Sequence, residues 1–441
     1  MFVAVTWVNF NQEAWKGRAV LTYDVAQYYS YLPAVFYEHD LSQRFLNDTV
    51  HAEADRKHYA STRAPNGNHV FKMTMGMSLS YLPFFAVAHA YTTLTHSGRE
   101  GGFAPAYHFA IQFSSLFWFL IGLFFLIKVL RRFFPDGVVS LTLFCICFGT
   151  NVFYYLTIGA GMSHAVNFML MAAFLHYALT WHEQPGYKSA VMVGIFGALL
   201  TLIRPVNILV YLFFFLYKVC SLTDLRSKIN FFRTNRLHVL IMALLGLLIF
   251  MPQLCYWKFI SGHYFFNSYN EYFYFAHPHV LDGLFSFRKG WLIYTPMMCF
   301  ALAGILLLRN NLGGFSFALP VFLIVYLYVI FSWWCWWYGG SFGQRPLIDA
   351  YPLLAIPFAA LLYRASQAVK IRRTVLYVAL SCLVLLNLFQ TVQAKYNIIH
   401  FDSMTRENYF RVFFTTSKQP DRDKYLKPPD YGRAMRGEKE Y

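Results

Sequence analysis

The stretch YHFAIQFSSLFWFLIGLFFLI, residues 107–127, contains no aspartate, glutamate, lysine or arginine. A run of about twenty apolar residues is long enough to cross the hydrocarbon core of a bilayer as one helix. Because water is absent there, the backbone must satisfy its own hydrogen bonds, and a helix does so. This stretch therefore predicts a transmembrane helix.

Further apolar runs follow along most of the chain. They lie at 138–157, 163–181, 189–203, 206–219, 238–256, 291–308, 314–335, 347–363 and 374–394. The two shortest flank Arg204-Pro205, where we expect a tight turn at the membrane face because proline interrupts the helical hydrogen-bond ladder. The sequence predicts an all-α fold, a polytopic transmembrane helical bundle of about ten or eleven spans.

The composition of the 441-residue chain supports this class, since 57% of its residues are hydrophobic and 13% are charged. Globular proteins have about 25% charged residues, so a soluble multidomain protein, a disordered chain and a disulfide scaffold are excluded. The net charge of +16 falls mostly in clusters between apolar runs, which indicates membrane orientation and not nucleic-acid binding. The seven cysteines show no paired spacing, so we expect neither a disulfide nor structural zinc.

Basic clusters set the predicted orientation. They follow the first full span at 128–132, fill the loop 218–236 and precede the last span at 364–373. Positively charged loops stay in the cytoplasm, and the number of spans between the clusters puts all three on that side. We expect a multi-pass protein of the cytoplasmic (inner) membrane whose active site is extracytoplasmic.

Four regions follow from this orientation. Residues 1–10 are apolar but short, and we expect a short or truncated first transmembrane helix, whose true start stays open. Residues 11–106 form an extracytoplasmic loop with helices, in which 77–94 is interfacial and not a span. Residues 107–394 form the transmembrane bundle, and 395–441 form a loosely ordered extracytoplasmic tail.

The first extracytoplasmic loop contains one acid and one lysine of interest. Asp24, in Tyr23-Asp24-Val25-Ala26-Gln27-Tyr28-Tyr29, is a candidate base for an acceptor hydroxyl or a candidate metal ligand. The alternative is a helix N-terminal acid that faces water. Lys72 precedes the interfacial helix and suits a phosphate headgroup, the alternative being a lysine that only reaches toward the membrane surface.

Cations also lie in the later outer loops. Arg288 and Lys289 open a span on the side that the positive-inside rule disfavours, which an anionic ligand would explain. Arg345 follows the glycine-rich stretch 339–343, where glycines allow close backbone approach and a guanidinium binds phosphate in a fork. Arg204 lies on the same predicted face. Together these residues predict a site for a lipid-linked phosphate.

Two further polar features are less specific. Residues 331–338 contribute four tryptophans, which predict an interfacial aromatic belt. His164 begins a span near the outer face and is interpreted as a packing or capping residue, with metal ligation as the alternative. No HExxH, DxD, P-loop, GxSxG or GxGxxG motif lies in a suitable context, so soluble-type nucleotide-sugar or ATP chemistry has no support.

In the order and shared side of these motifs, the chain resembles the polytopic glycosyltransferases of the GT-C superfamily. The similarity is to bacterial protein-mannosyltransferase-like and lipid-modifying members, and it covers most of the chain. The stretches that resemble them are Asp24 with Tyr28-Tyr29, Lys72 with Gly76 and Leu82-Pro83-Phe84, Arg204-Pro205, Phe285 to Pro296, and Ser341 to Arg345 running into Tyr351-Pro352 and Pro357.

The resemblance implies that a sugar arrives on a polyprenyl phosphate and passes to an acceptor hydroxyl at the extracytoplasmic face, with inversion. The acceptor, a lipid, a glycan or a protein, stays open. By resemblance Asp24 is the base or the group that orients the acceptor, and Lys72 contacts the carrier phosphate. Arg204, Arg288 and Arg345 are further candidates for the same charge.

The sequence leaves the cofactor and the functional class open. No cofactor is certain, but a divalent metal stays open, with Asp24 and His164 as candidate ligands, because Val25 stands where many relatives have a second acid. The alternative function is a flippase or transporter of an anionic lipid-linked sugar, which predicts ionisable residues deep within the spans. The apolar runs show few, with His176 and Gln253 as the main polar interruptions. An oligosaccharide ligase that uses the same carrier is a third candidate.

Overall fold

The computed structural model describes residues 1–47, 61–97 and 101–440. The all-α prediction is confirmed, because 67% of these residues are helical. One antiparallel pair of short strands, β1 (Ser61–Arg63) and β2 (His69–Phe71), lies in the first loop with Thr62 opposite Val70.

Helices follow one another along the rest of the chain. Those before residue 160 are α1 (Phe2–Gln12), α2 (Tyr23–Tyr29), α3 (Tyr31–Phe36), α4 (Gly76–Leu94), α5 (Pro105–Leu130), α6 (Asp136–Phe148) and α7 (Val152–Leu156). The next are α8 (His164–Glu183), α9 (Tyr187–Ile203), α10 (Val210–Leu216), α11 (Leu222–Thr234), α12 (Arg236–Ser261), α13 (Val280–Phe285), α14 (Trp291–Tyr294) and α15 (Met297–Ile305). The last are α16 (Leu308–Asn311), α17 (Ala318–Phe331), α18 (Tyr351–Ser366), α19 (Lys370–Lys395), α20 (Arg406–Val412) and α21 (Tyr431–Met435). Turns of 3-10 helix lie at Arg44–Asn47, Pro205–Leu209, Gly313–Phe315, Arg345–Ala350 and Arg422–Tyr425.

Five helical segments in the described part of the chain are long and apolar enough to cross a membrane, which supports a multi-pass membrane protein. They are α5, α12, Gly313–Phe331, Arg345–Ser366 and α19. Shorter apolar helices lie at Asp136–Phe148, Tyr187–Ile203 and Pro205–Leu216. The bundle therefore has fewer full-length helices than the sequence has apolar runs.

Two predicted spans are interrupted, so the expectation of one continuous helix in each is wrong. The run 291–308 divides at Thr295-Pro296 into α14 and α15, because proline has no N–H to continue the hydrogen-bond ladder. The run 138–157 divides around Gly149 into α6 and α7. Each of these four helices is too short to cross the hydrocarbon core alone.

Of the five long segments, the least apolar one is the most buried. The most hydrophobic window of α12 is only 17% buried, whereas that of Arg345–Ser366, the least apolar of the five segments, is 89% buried. Between them, α5 packs along α8, α9 packs against both α8 and α12, and α15 packs on α18. Apolar surface thus faces outward, as contact with membrane lipid requires, and the polar side chains gather inside.

The basic clusters meet at one end of the bundle, which we call the basic end. The ring centres of Phe133 and Phe315 are 5.6 Å apart, and those of Phe315 and Tyr217 are 5.0 Å apart, which joins the first cluster to the second. The ring centres of Phe134 and Tyr363 are 6.2 Å apart, which joins the first cluster to the third. The loops that the sequence assigns to one side of the membrane therefore lie together.

Helix α4 covers the predicted interfacial stretch. Its residues Met77, Tyr81 and Phe85 are buried at one face, four residues apart, as a helix that packs on one side requires. Its other face exposes Val87 and Leu94. An apolar face on each side fits a helix between protein and lipid, and its interfacial position, without crossing the bilayer, stays a prediction.

The tail is folded over its described residues 395–440, in contrast to the loose order that we expected. Its helix α20 is fastened to α19 by Gln393, whose Nε2 donates to the carbonyl of Val412 at 2.7 Å. Gln390 Nε2 likewise donates to the hydroxyl of Tyr409 at 2.9 Å. The high charge content of the tail concealed these apolar and amide anchors.

The contact between α15 and α18 gives a stability test. A Cβ at Gly304 would overlap the carbonyl of Pro357, so we expect Gly304→Ala to lower the unfolding midpoint in detergent, at a cost of about 1–3 kcal/mol. Gly246→Ala in α12 is the matched control, because nothing lies within 4 Å of its Cβ position. Alanine favours the helix there, so its midpoint should stay or rise. Equal midpoints for the two variants would contradict the close packing.

Candidate functional site

A cavity of about 710 Å³ lies at the end of the bundle opposite the basic end. It forms where α9 and α17 end and where the segment Arg345–Ser366 begins, and residues of the first loop close it. Its charged lining residues are Asp24, Lys72, Arg204, Glu271 and Arg345. The structure therefore brings four of the residues singled out from the sequence to one cavity.

Asp24 lies in the first turn of α2, where the helix dipole favours a carboxylate. Its Oδ2 is 2.8 Å from a guanidinium nitrogen of Arg345, and 28% of its side chain stays exposed. Burial raises the pKa of Asp24, but Arg345, followed by Lys72 and His164, outweighs burial and holds the pKa below its usual value. Asp24 is therefore an ionised, accessible carboxylate paired with a cation.

Lys72 follows β2, and its Nζ lies 2.5 Å from Oε1 of Glu271. The hydroxyl of Ser268 donates to the Lys72 carbonyl at 2.7 Å, which ties the loop 257–290 to the first loop. Sequence reasoning missed Glu271. The feature of the sequence that could have revealed it is a single acid within the aromatic stretch 269–275.

Arg204 pairs with Asp349, a second residue that sequence reasoning missed. A guanidinium nitrogen of Arg204 lies 3.1 Å from Oδ2 of Asp349, which is fully buried. Asn167 and Asn207 donate to the same oxygen at 2.8 and 3.0 Å, and His164 Nδ1 lies 3.3 Å from Oδ1. The signal in the sequence was a carboxylate inside an otherwise apolar run.

The remaining wall of the cavity is aromatic. Phe273 and Trp333 pair through their backbones, and their ring centres are 4.7 Å apart. The other aromatic lining residues are Tyr28, Tyr269, Tyr272, Phe275, Trp334, Tyr338 and Tyr431. The prediction that the four tryptophans form an interfacial belt is wrong for Trp336 and Trp337. Both are fully buried and pack with Ala434 of the tail.

Arg288 and Lys289 do not line this cavity, although we predicted that they bind the same phosphate. Arg288 donates to the carbonyls of Asp402 at 2.6 Å and of Lys427 at 3.1 Å. Lys289 donates to the carbonyl of Ser341. Both cations are almost fully buried, so they hold the tail and the glycine-rich loop in place.

That glycine-rich loop leads directly to Arg345. Gly339 and Gly343 have φ angles of 60° and 58°, a region that residues with a side chain rarely adopt. The glycines predicted to let a ligand approach the backbone therefore also make the turn that aims Arg345 at Asp24.

The two candidate metal ligands have other partners. Asp24 is paired with Arg345, and His164 lies against Asp349. Within the described ranges, no group of three or more His, Cys, Asp or Glu side chains could hold a metal ion. The charged groups that face the cavity are thus two carboxylates and three cations.

The chain matches no protein-family model, no curated protein and no solved structure. The functional proposal accordingly depends on the geometry of this cavity and on the motif resemblance to the GT-C superfamily.

The buried Lys289 gives a test that depends on pH. Burial, opposed by Asp402 and assisted by Arg345 and Arg288, lowers the pKa of Lys289 to about 7. In the unfolded chain a lysine titrates near about 10.4, so between these values the unfolded state binds more protons and stability rises with pH. We expect Lys289→Met to unfold at a higher midpoint than the wild type. The difference should be largest below about pH 7 and should shrink toward about pH 10.

The control for this test is Lys418→Met, at an exposed position in the tail. Its difference from the wild type should not change with pH over the same range. A Lys289→Met difference that is equally flat would show that the amine is not buried as described.

Proposed function

We propose that this chain is a membrane glycosyltransferase that transfers a sugar from a polyprenyl-phosphate carrier to an acceptor hydroxyl, with inversion. The observation that carries the proposal is the ion pair of Asp24 and Arg345, 2.8 Å apart, at the wall of a cavity that Lys72 and Arg204 also line. Asp24 supplies a base. The three cations supply a phosphate-binding surface. The resemblance to the GT-C superfamily supports the same chemistry.

The proposed step needs a general base but no general acid. The acceptor oxygen forms a bond to the anomeric carbon while the bond from that carbon to the phosphate oxygen breaks, and the electron pair leaves with the phosphate. Asp24 accepts the hydroxyl proton. Because the leaving phosphate is already an anion, no protonated carboxyl is required, unlike in a glycosidase. Lys72, Arg204 and Arg345 stabilise the charge that grows on the phosphate.

The ion pairs of the cavity suggest how the donor prepares the base. A carrier phosphate that binds Arg345 competes with Asp24 for its guanidinium. Because this guanidinium is the main group that holds the pKa of Asp24 low, its transfer to the phosphate makes the carboxylate a stronger base. Donor binding would therefore precede proton transfer.

The aromatic wall fits the rest of such a donor. Tyrosine and tryptophan rings offer apolar faces together with a polar edge, which suits both a sugar and the start of a lipid chain. The rings of Tyr269 and Trp333, 6.2 Å apart, stand beside the Lys72–Glu271 pair. A donor phosphate at the cations would thus have its apolar part against this wall.

The position of the cavity supports an extracytoplasmic reaction. It lies opposite the basic end, and positively charged loops stay in the cytoplasm. In this proposal the reaction takes place at the outer face of the cytoplasmic membrane. The acceptor, whether lipid, glycan or protein, would approach from the aqueous side.

A flippase or transporter of an anionic lipid-linked sugar is the second candidate, and Asp349 is the observation that favours it. This carboxylate is fully buried within a segment long enough to span, and an ionisable residue in such a place marks many transport pathways. Proteoliposomes loaded with labelled donor separate the two functions. A transporter moves the donor intact across the bilayer, whereas a transferase forms a new glycosidic bond.

Asp24 and Lys72 give the direct test of transfer. We expect Asp24→Asn and Lys72→Ala to lower transfer of labelled sugar from polyprenyl phosphate by about 10²–10³-fold, because each removes a group that acts on the transition state. The matched controls are Asp136→Asn and Lys16→Ala, which disrupt exposed ion pairs outside the cavity. Full transfer by both cavity variants at wild-type expression would refute the assigned roles.

Glu271 gives a test with the opposite sign. Its carboxylate competes with a donor phosphate for Lys72, so we expect Glu271→Gln to lower the KM for the donor by about two- to fivefold, the range of a partly exposed ion pair. Glu13→Gln, which loses a pair with the exposed Lys16, is the control and should leave the KM unchanged. A higher KM for Glu271→Gln would mean that Glu271 itself binds a substrate.

A further inference from the structure

Packing alone does not explain the surroundings of Asp349. It lies in the 3-10 turn Arg345–Ala350, is fully buried, and contacts four side chains from two other parts of the chain. Asn167 and His164 come from α8, Arg204 follows α9, and Asn207 lies in the turn after it. The carboxylate therefore joins three otherwise separate elements at the polar end of the bundle.

A buried carboxylate is costly to retain. Replacing a buried ion pair with well-packed apolar residues is often neutral or stabilising, so stability gives little reason to keep a charge at this position. Of its contacts, Arg204 alone carries a fixed positive charge. Arg204 is also the partner that reaches the cavity, with 17% of its side chain exposed.

The backbone on either side of this pair is fixed. Arg204 ends α9 in an extended conformation with φ of −141°, and Pro205 follows. A Cβ at Gly76 would lie 2.9 Å from the backbone nitrogen of Ile203, so α4 packs directly against the end of α9. With its backbone held, the guanidinium direction depends on what the side chain binds.

We infer that Asp349 is a positioning residue, which holds the guanidinium of Arg204 at the cavity wall so that its remaining N–H groups bind the phosphate of a lipid-linked donor. Arginine has five N–H donors in a planar fork, and Asp349 accepts from one of the Arg204 nitrogens at 3.1 Å. The inference rests on the proposed function, because it assumes an anionic donor in this cavity. Asp349 itself does not line the cavity and touches no substrate.

The experiment measures binding without turnover. A short-chain prenyl monophosphate is titrated into the purified protein in detergent, and calorimetry measures its binding. Inorganic phosphate is titrated in parallel. The variants are Asp349→Asn, Arg204→Gln and the double variant, and Asp136→Asn is the control for loss of one acid far from the cavity. Binding of the prenyl phosphate but not of inorganic phosphate identifies a lipid ligand, and equal binding of both identifies a phosphate site.

We expect Asp349→Asn and Arg204→Gln each to weaken binding roughly tenfold, as loss of one charge-assisted hydrogen bond does. The double variant should bind as weakly as Arg204→Gln alone, because Asp349 acts only through Arg204. A role confined to folding would give losses that multiply, or an unfolding midpoint that falls while affinity is unchanged. Wild-type affinity in folded Asp349→Asn would overturn the inference.

Asn207→Ser guards against an Asp349 variant that fails to fold. It removes one neutral donor and keeps both charges, so binding should weaken less than in Arg204→Gln, and wild-type affinity would count against positioning. The two proposals fail separately. If the wild type transfers no sugar but the double variant binds as weakly as Arg204→Gln alone, the transferase is refuted and the positioning role is kept. If the wild type transfers sugar but the two binding losses multiply in the double variant, the positioning role is refuted and the transferase is kept. A wild type that binds neither probe refutes the inference.

Discussion

Two ion pairs that share one 3-10 turn organise the polar end of this bundle. Arg345 begins the turn and pairs with Asp24 of the first loop, and Asp349 lies four residues later and pairs with Arg204. Charges removed from water are tolerated where each has a partner, so these pairs dictate which segments meet. The first loop, the end of α9 and the start of α18 are fixed against one another, and the cavity is the space that remains between them.

The bundle around this turn follows from the membrane as a solvent. The most exposed spanning helix, α12, meets lipid with apolar side chains, whereas α8 and the turn Arg345–Ala350 bury polar ones. Asn167 and His164 would be costly on the outside of the bundle, and inside they satisfy Asp349. The same arrangement that hides polar groups from lipid therefore builds the support of the candidate site.

The cavity also depends on the tail, which its sequence had led us to expect as a loose appendage. Tyr431 of α21 lines the cavity, and its hydroxyl donates to Asp402 at 2.8 Å. Asp402 in turn accepts, through its carbonyl, a hydrogen bond from Arg288. The cation that was expected at the carrier phosphate instead anchors the tail, and the tail completes the aromatic wall.

The fold class and four of the five charged residues that line the cavity could be predicted from the amino-acid sequence alone. Apolar runs of membrane length require helices. Arg204 and Arg345 could be found because they interrupt or border such runs, and Asp24 and Lys72 because they precede an aromatic stretch and an interfacial helix of the first loop. Their partners Glu271 and Asp349 could not, because pairing between residues far apart in the chain depends on how helices pack. Nor does position near a span end reveal where a side chain points, which is why Arg288 and Lys289 were misplaced and only the tertiary structure assigned them to buried carbonyls.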